Sequence, residues 1–153
     1  MGDRALVQFV NSNGCVSPVI YLHEAGHKVA ELLLKHHALM AGRYSDVGYS
    51  AARFIGMCHS DNPNSNLSLG CWDSGGEQLS EDDTHGDAGV FVINVDDKSI
   101  TMGGGYGLVI NRDVYITTSH HGAASAYIDE DHIVVPCVAT KETTNLIVIR
   151  NKT

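Results

Sequence analysis

The sequence predicts an α+β domain, in which two α-helices pack on one face of a mostly antiparallel β-sheet. Strand-like segments come first, two amphipathic helical segments follow, and further strand-like segments run to the end of the chain. This order differs from the regular strand–helix alternation of parallel α/β folds. Hydrophobic residues make up 43% of the 153 residues, which is enough for one globular core.

The first two strands are predicted to form a β-hairpin. Residues 5–10 and 16–22 are rich in Val, Ile and other residues that favour strands. The turn-forming sequence Asn-Ser-Asn-Gly at residues 11–14 separates them, as expected for a hairpin with a longer loop.

The spacing of apolar residues predicts two helices after this hairpin. The first, residues 27–41, has one apolar stripe that includes Leu32 and Leu33. The second begins at Ser45–Asp46, because these side chains favour the N-cap position, and it ends near His59.

The remainder of the chain predicts strands joined by loops, without an internal repeat. Residues 89–96 predict a strong strand, and further strands are expected at 67–72, 108–111, 114–118, 133–138 and 145–150. The acidic, Gly-rich residues 73–87 predict an exposed loop, and residues 103–107 predict a flexible one. We interpret residues 1–153 as a single domain.

Charge and cysteine content exclude several classes of protein. The chain has 18 acidic and 10 basic residues, a formal charge of −8, so the basic footprint of a DNA-binding protein is absent. Its four cysteines form no C-x-x-C pair, unlike those of a zinc ribbon. No signal peptide and no apolar span of about 20 residues is found, so we expect a cytoplasmic protein without membrane contacts.

The sequence His23-Glu24-Ala25-Gly26-His27 matches the zinc motif of metallopeptidases, H-E-x-x-H. On one helix, the two imidazoles would share a face and Glu24 would activate a zinc-bound water. Against this, residues 19–21 favour a strand, Gly26 costs about 1 kcal/mol inside a helix, and no third ligand stands out. We therefore expect no metal, no cofactor and no catalytic residue, and keep a small zinc metallopeptidase as an alternative.

Arginines are the candidate anion-binding residues in this acidic chain. Arg4, Arg53 and Arg112 each offer a planar fork of donors suited to phosphate. Tyr49 lies one helical turn before Arg53 and off the apolar stripe, which favours a functional role for this pair.

Four short motifs resemble, in order, those of a family of small bacteriophage and prophage proteins. They are Met1–Val7 (M-G-N-R-A-V-I in the family), Ile20–His23 (V-Y-L-H), Tyr49–Gly56 (Y-G-W-A-R-L) and Gly86–Val92 (G-D-N-G-V-Y). The resemblance defines a family-like core, residues 1–99, and a C-terminal β-rich extension, residues 100–153. Family members carry W-N-G-G where this chain has residues 24–27, which places His23 at a strand end.

This family resembles the first type of anti-Thoeris proteins, with which phages counter Thoeris defence. The resemblance implies a sponge that binds a cyclic ADP-ribose isomer or a cyclic oligonucleotide without cleaving it. It also implies a homo-oligomer, a dimer or larger, in the host bacterial cytoplasm. An acidic inhibitor protein that occupies a basic site of a host defence complex is a further alternative.

A sponge needs donors for phosphate, aromatic faces for the base and polar groups for ribose. We expect Arg4, Arg53 and Arg112 to contact phosphates, and Tyr21, Tyr49 and Phe91 to shape the base pocket. Asn94 or Asp87 is expected to contact ribose, and His23 completes the set of candidate ligand-binding residues.

Overall fold

A computed structural model describes residues 3–40, 42–43, 45–61, 69–72, 77–84, 86–111, 114–115, 124–129, 132–136 and 146–150. The strands of this part of the chain are β1 (Ala5–Val10), β2 (Val19–Leu22), β3 (Leu69–Trp72), β4 (Gly89–Asn94), β5 (Ser99–Gly103), β6 (Val109–Asn111), β7 (Val114–Tyr115), β8 (Ala124–Asp129), β9 (His132–Pro136) and β10 (Leu146–Arg150). The helices are α1 (Val29–Met40) and α2 (Val47–Asp61), with 3-10 turns at Gly26–Lys28 and Glu81–Asp83. These elements confirm the predicted α+β class.

Eight strands form one sheet in the order β10-β9-β8-β5-β4-β1-β2-β3, and β6 and β7 pair separately. Neighbouring strands in the large sheet are antiparallel except for β1 and β4, an interior pair that is parallel. Ala5 lies opposite Gly89, and Val10 lies opposite Asn94. Consequently β1 and β4 begin at the same end of the sheet, where β2 ends. The mostly antiparallel sheet is confirmed, but the parallel pair was not predicted.

Strand β1 is buried along its whole length. Ala5, Val7 and Phe9 face the helices and join the main core. Leu6 belongs to a smaller apolar cluster on the second face of the sheet. Burial on both faces explains why β1 is a nearly continuous apolar run instead of an alternating one.

The main core lies between the two helices and one face of the sheet. Its largest fully buried side chains include Phe9, Phe54 and Phe91. Ile100 and Ile128, from the predicted C-terminal extension, belong to the same core cluster. The proposed division after residue 99 falls within β5, so the two parts share one sheet and one core.

Gln8 holds a chain segment over the second face of the sheet. Its side chain is fully buried, and its Nε2 donates to the carbonyls of Ser17 and Glu77, both at 3.1 Å. Its Oε1 accepts a hydrogen bond from the backbone N–H of Leu79 at 2.8 Å. Leu79 then packs on the smaller apolar cluster. The residues from 77 to 84 are mostly exposed, as predicted, but Gln8 ties the backbone of Glu77 and Leu79 to the sheet.

His36 links the two helices inside the core. Its Nε2 lies 2.8 Å from the Ser50 carbonyl oxygen, which only accepts hydrogen bonds, so Nε2 carries the proton. The ring packs against Phe9 and Phe54, with centroids 4.9 and 5.7 Å away. Burial lowers the pKa of His36 from 6.5 to about 4, despite the opposing effect of the Ser50 hydrogen bond. The imidazole is thus neutral at pH 7.

The longest described helix, α2, has 15 residues. A span of the hydrocarbon core of a membrane takes about 20 predominantly apolar residues. Within the described ranges, no helix has the length and apolar character needed to cross a membrane.

The buried imidazole predicts a loss of stability in mild acid. Between pH 6.5 and about 4 the unfolded chain binds the His36 proton more readily than the folded chain. The free energy of unfolding should therefore fall with decreasing pH in this window, by up to about 3 kcal/mol. Urea unfolding at a series of pH values measures this change in the free energy of unfolding.

The matched variant His36→Gln keeps an N–H donor for Ser50 but does not titrate, so its stability should fall less over the same window. His37, whose pKa is also lowered, mainly by partial burial, accounts for a remaining slope. Identical pH profiles for wild type and variant would contradict the prediction.

Candidate functional site

Four candidate residues meet at the end of the sheet where β1 and β4 begin. They are Arg4, Tyr21, His23 and Asp87, which we call the Arg4 cluster. Arg4 directly precedes β1, and Asp87 precedes β4 by two residues. Strand β2 runs antiparallel to β1 and ends at Leu22, which places His23 at the same end. The sheet topology thus assembles residues that are far apart in sequence.

Arg4 and Asp87 form a partly exposed ion pair. Arg4 Nε donates to Asp87 Oδ2 at 2.9 Å, and the Arg4 backbone N–H donates to the same oxygen at 3.0 Å. This hydrogen bond raises the pKa of Arg4 and lowers the pKa of Asp87, so both groups are charged at neutral pH. Within the described ranges, the terminal Nη groups of Arg4 make no hydrogen bond. They remain available to an anionic ligand.

Tyr21 and His23 form an aromatic pair beside this guanidinium. The Tyr21 hydroxyl lies 2.7 Å from His23 Nδ1, and the ring centroids are 5.8 Å apart. The Tyr21 ring packs against the apolar cluster on the second face of the sheet, and both side chains are half-buried. Tyr21 also contributes, less than Asp87 does, to the raised pKa of Arg4. Since Tyr21 lies opposite Leu6 and Leu22 lies opposite Ala5, the positive charge and the aromatic pair are carried by neighbouring strands at the same end of the sheet.

Asp3 joins the start of β1 to two other chain segments. Its backbone N–H donates to the carbonyl of His23, and its own carbonyl accepts from the N–H of Gly26, both at 2.8 Å. Its Oδ2 accepts from the backbone N–H of His27 at 3.0 Å and lies 2.6 Å from His27 Nδ1. The Tyr106 hydroxyl donates to Asp3 Oδ1. One aspartate thus fixes the end of β2, the turn before α1 and the Gly-rich loop of residues 103–107.

These contacts decide the interpretation of the H-E-x-x-H sequence. Strand β2 ends immediately before His23, and α1 begins only at Val29, so the single helix that a zincin motif requires is not formed. The expectation that His23 lies at a strand end and His27 at a helix start is confirmed. Among the described residues, no group of three or more His, Cys, Asp and Glu is placed to hold a metal ion.

The Gly-rich loop after β5 folds back onto the cluster. The backbone N–H of Tyr106 donates to the Asp87 carbonyl at 2.9 Å, and that of Gly107 donates to the Ala88 carbonyl at 3.1 Å. A Cβ at Gly105 would lie 2.3 Å from the Asp87 carbonyl oxygen, so only glycine permits this approach. The loop is anchored by these bonds, which corrects the prediction of a flexible connection.

Tyr49 and Arg53 lie apart from the Arg4 cluster. Helix α1 begins three residues after Gly26, and its 12 residues extend about 18 Å. Helix α2 starts beyond the far end of α1, with Tyr49 in its first turn and Arg53 in its second. Tyr49 and Arg53 are therefore not part of the Arg4 cluster within one copy of the chain.

Two further candidates, Phe91 and Asn94, are also separate from the cluster. Phe91 is fully buried in the main core, away from the Arg4 cluster, so the prediction that it shapes a base pocket with Tyr21 is wrong. Asn94 lies at the opposite end of β4, where its Oδ1 accepts from the N–H groups of Asp96 (2.8 Å) and Asp97 (3.3 Å). Its side-chain oxygen stabilises the β4–β5 turn, so of the two residues predicted to contact ribose only Asp87 lies in the Arg4 cluster. Arg112 lies outside the described residues.

A surface groove of about 440 Å³ lies near this turn. Its lining residues are His37, Ala38, Gly42, Ser45, Val95, Asp96 and Lys98. None of the candidate ligand-binding residues that the structure describes lines it, so the groove and the Arg4 cluster are different features.

Sequence reasoning missed the roles of Asp3 and Tyr106. They are 103 positions apart, and nothing in a local pattern indicates that their side chains meet. The one local signal is the run of glycines before Tyr106, because glycines are common where two backbone segments approach closely.

Comparisons of the chain with protein-family models, with curated proteins and with solved structures find no significant match. Function is therefore inferred from the residues of the cluster and from the motifs that they carry.

Two glycines provide a matched test of the packing beneath the cluster. A Cβ at Gly26 would lie 2.7 Å from Asp3 Oδ1 and 2.9 Å from Ala88 Cβ, whereas a Cβ at Gly56 in α2 would meet nothing within 4 Å. Gly26→Ala should lower the free energy of unfolding by about 1–3 kcal/mol through overpacking. Gly56→Ala should raise it by about 0.5–1 kcal/mol, because alanine favours the helix.

Urea unfolding of both variants beside the wild type measures these changes. A Gly26→Ala variant as stable as the wild type would show that the close packing of Asp3 against Gly26 does not contribute to the stability of the fold.

Proposed function

We propose that this chain is a phage anti-defence protein that sequesters a cyclic nucleotide without cleaving it. The ligand is a cyclic ADP-ribose isomer or a cyclic oligonucleotide, and the Arg4 cluster is its binding site. The observation that carries the proposal is the convergence of Arg4, Tyr21, His23 and Asp87, which come from three of the four phage-like motifs.

Arg4 supplies the phosphate contact in this proposal. Asp87 already holds Arg4 Nε, so the side chain is ordered before a ligand binds. Binding at the terminal nitrogens therefore costs less conformational entropy. Hydrogen bonds from a guanidinium to phosphate are charge-assisted and often bidentate. In a chain with a formal charge of −8, such a fixed cation gives a local site for an anion.

Tyr21 and His23 supply the base and ribose contacts. The Tyr21 ring is held by the apolar cluster behind it and by the hydroxyl contact with His23. A fixed aromatic face stacks on a nucleobase with little loss of entropy. His23 and the second carboxylate oxygen of Asp87 are polar groups of the kind that bind ribose hydroxyls.

The biological setting is proposed from the resemblance. The phage-like motifs support a protein that acts in the host bacterial cytoplasm as a homo-oligomer. Binding with slow release is sufficient to deplete a signal, so neither a metal nor an acid–base pair is needed for this function.

Ligand uptake tests the proposal directly. The chain is incubated with a cyclic ADP-ribose isomer or a cyclic oligonucleotide, separated from free ligand and heated to release what it holds. Intact ligand in the released fraction is the expected result. Degraded ligand would identify an enzyme, and absence of uptake of both ligand classes would overturn the proposal.

The Arg4→Gln variant tests the site itself. Loss of charged hydrogen bonds worth about 1.5–3 kcal/mol should weaken binding at least about tenfold in calorimetry. Lys28→Gln removes the same charge from an exposed side chain near the same end of the sheet, and its affinity should stay close to wild type. Equal losses in both variants would indicate general electrostatic attraction instead of a contact with Arg4.

A further inference from the structure

Two arginines flank one tyrosine at the start of α2. The Arg43 guanidinium carbon lies 3.9 Å from the Tyr49 ring centroid, and that of Arg53 lies 5.9 Å from the same centroid. Contacts at these distances are typical of cation–π interactions. Arg43 comes from the α1–α2 connection, so the two cations meet here only because the chain turns between the helices.

Neither arginine is neutralised in the described part of the chain. Both side chains are exposed, and no ion pair is formed by either of them there. The nearest acidic residue in the sequence, Asp46, uses its Oδ1 to accept the backbone N–H of Tyr49 at 2.9 Å and caps the helix. Asp61, at the other end of α2, pairs with Lys35.

Two adjacent unpaired cations repel each other, which makes this surface unusual in a chain with a net charge of −8. The neighbouring His36 adds no charge at pH 7, since burial lowers its pKa to about 4. A doubly charged anion that contacts both guanidiniums would remove the repulsion.

We propose that Arg43, Arg53 and Tyr49 form a second anion site, for a phosphate dianion or a phosphomonoester. It is distinct from the Arg4 cluster, because α1 separates the two along its length. The exposed arginine side chains can turn to place one tetrahedral anion between their guanidinium groups, which both lie over the Tyr49 ring. Gly42 and Ser45, on either side of Arg43 in the chain, line the surface groove, which gives the remainder of a phosphomonoester room beside the phosphate.

Phosphate titration of the isotopically labelled full chain tests this site by NMR, with sodium chloride at matched ionic strength as the reference. We expect saturable shifts of backbone amides within residues 42–53. Arg43→Gln and Arg53→Gln should each weaken binding by about fivefold or more. Lys35→Gln, which removes an exposed cation from the neighbouring helix α1, should leave affinity unchanged.

Ribose 5-phosphate provides the second arm of this titration. If ribose 5-phosphate binds more tightly than inorganic phosphate, the site is assigned to a phosphomonoester with its sugar in the groove. If the two bind equally, the site is assigned to the free anion. No saturable shift with either probe, or an equal loss in Lys35→Gln, would overturn the proposal. Arg4→Gln should bind both probes at residues 42–53 like the wild type, so this test is independent of the nucleotide function proposed for the Arg4 cluster.

Discussion

Two aspartates fix the end of the sheet that carries the candidate binding site. Asp3 bonds to the segment after β2, to the turn before α1 and to the Tyr106 hydroxyl. Asp87 holds the Arg4 guanidinium with its side chain and the Gly-rich loop with its carbonyl. Because these bonds exist before any ligand arrives, the cationic and aromatic groups of the site are already ordered. Ordering them in advance removes part of the entropic cost of binding.

The parallel pairing of β1 with β4 makes this arrangement possible. It brings Arg4 to Asp87, 83 positions later in the chain, and it requires a crossover that contains α1 and α2. The same crossover carries Tyr49 and Arg53 toward the opposite end of α1. The β1–β4 pairing therefore separates the phage-like motifs into two regions. One is the Arg4 cluster, and the other contains the exposed Arg43 and Arg53 beside Tyr49.

Local patterns predicted the local structure well. The apolar stripes predicted both helices, and Asp46 caps α2 through the Tyr49 N–H as its residue type indicates. Strands β5 and β8 were not predicted, because Ser99–Gly103 runs between a turn and a Gly-rich loop and Ala124–Asp129 is dominated by small and polar residues. The parallel pair depends on contacts between distant segments, which no local pattern contains. For the same reason, the sequence around Phe91 predicted a strand but not that the Phe91 ring faces the helices. Tyr21 and His23 are only two residues apart, so the sequence alone placed them close together.

A crystal structure of the chain with a bound cyclic ADP-ribose isomer is the most direct measurement of the central claim. We predict that the ligand pyrophosphate contacts the Arg4 terminal nitrogens and that its base lies on Tyr21. Arg4 Nε should remain on Asp87 Oδ2, at the distance of 2.9 Å that it has without ligand. A ligand bound elsewhere with Arg4 untouched, or an Arg4 side chain released from Asp87, would contradict a site ordered in advance by its aspartates.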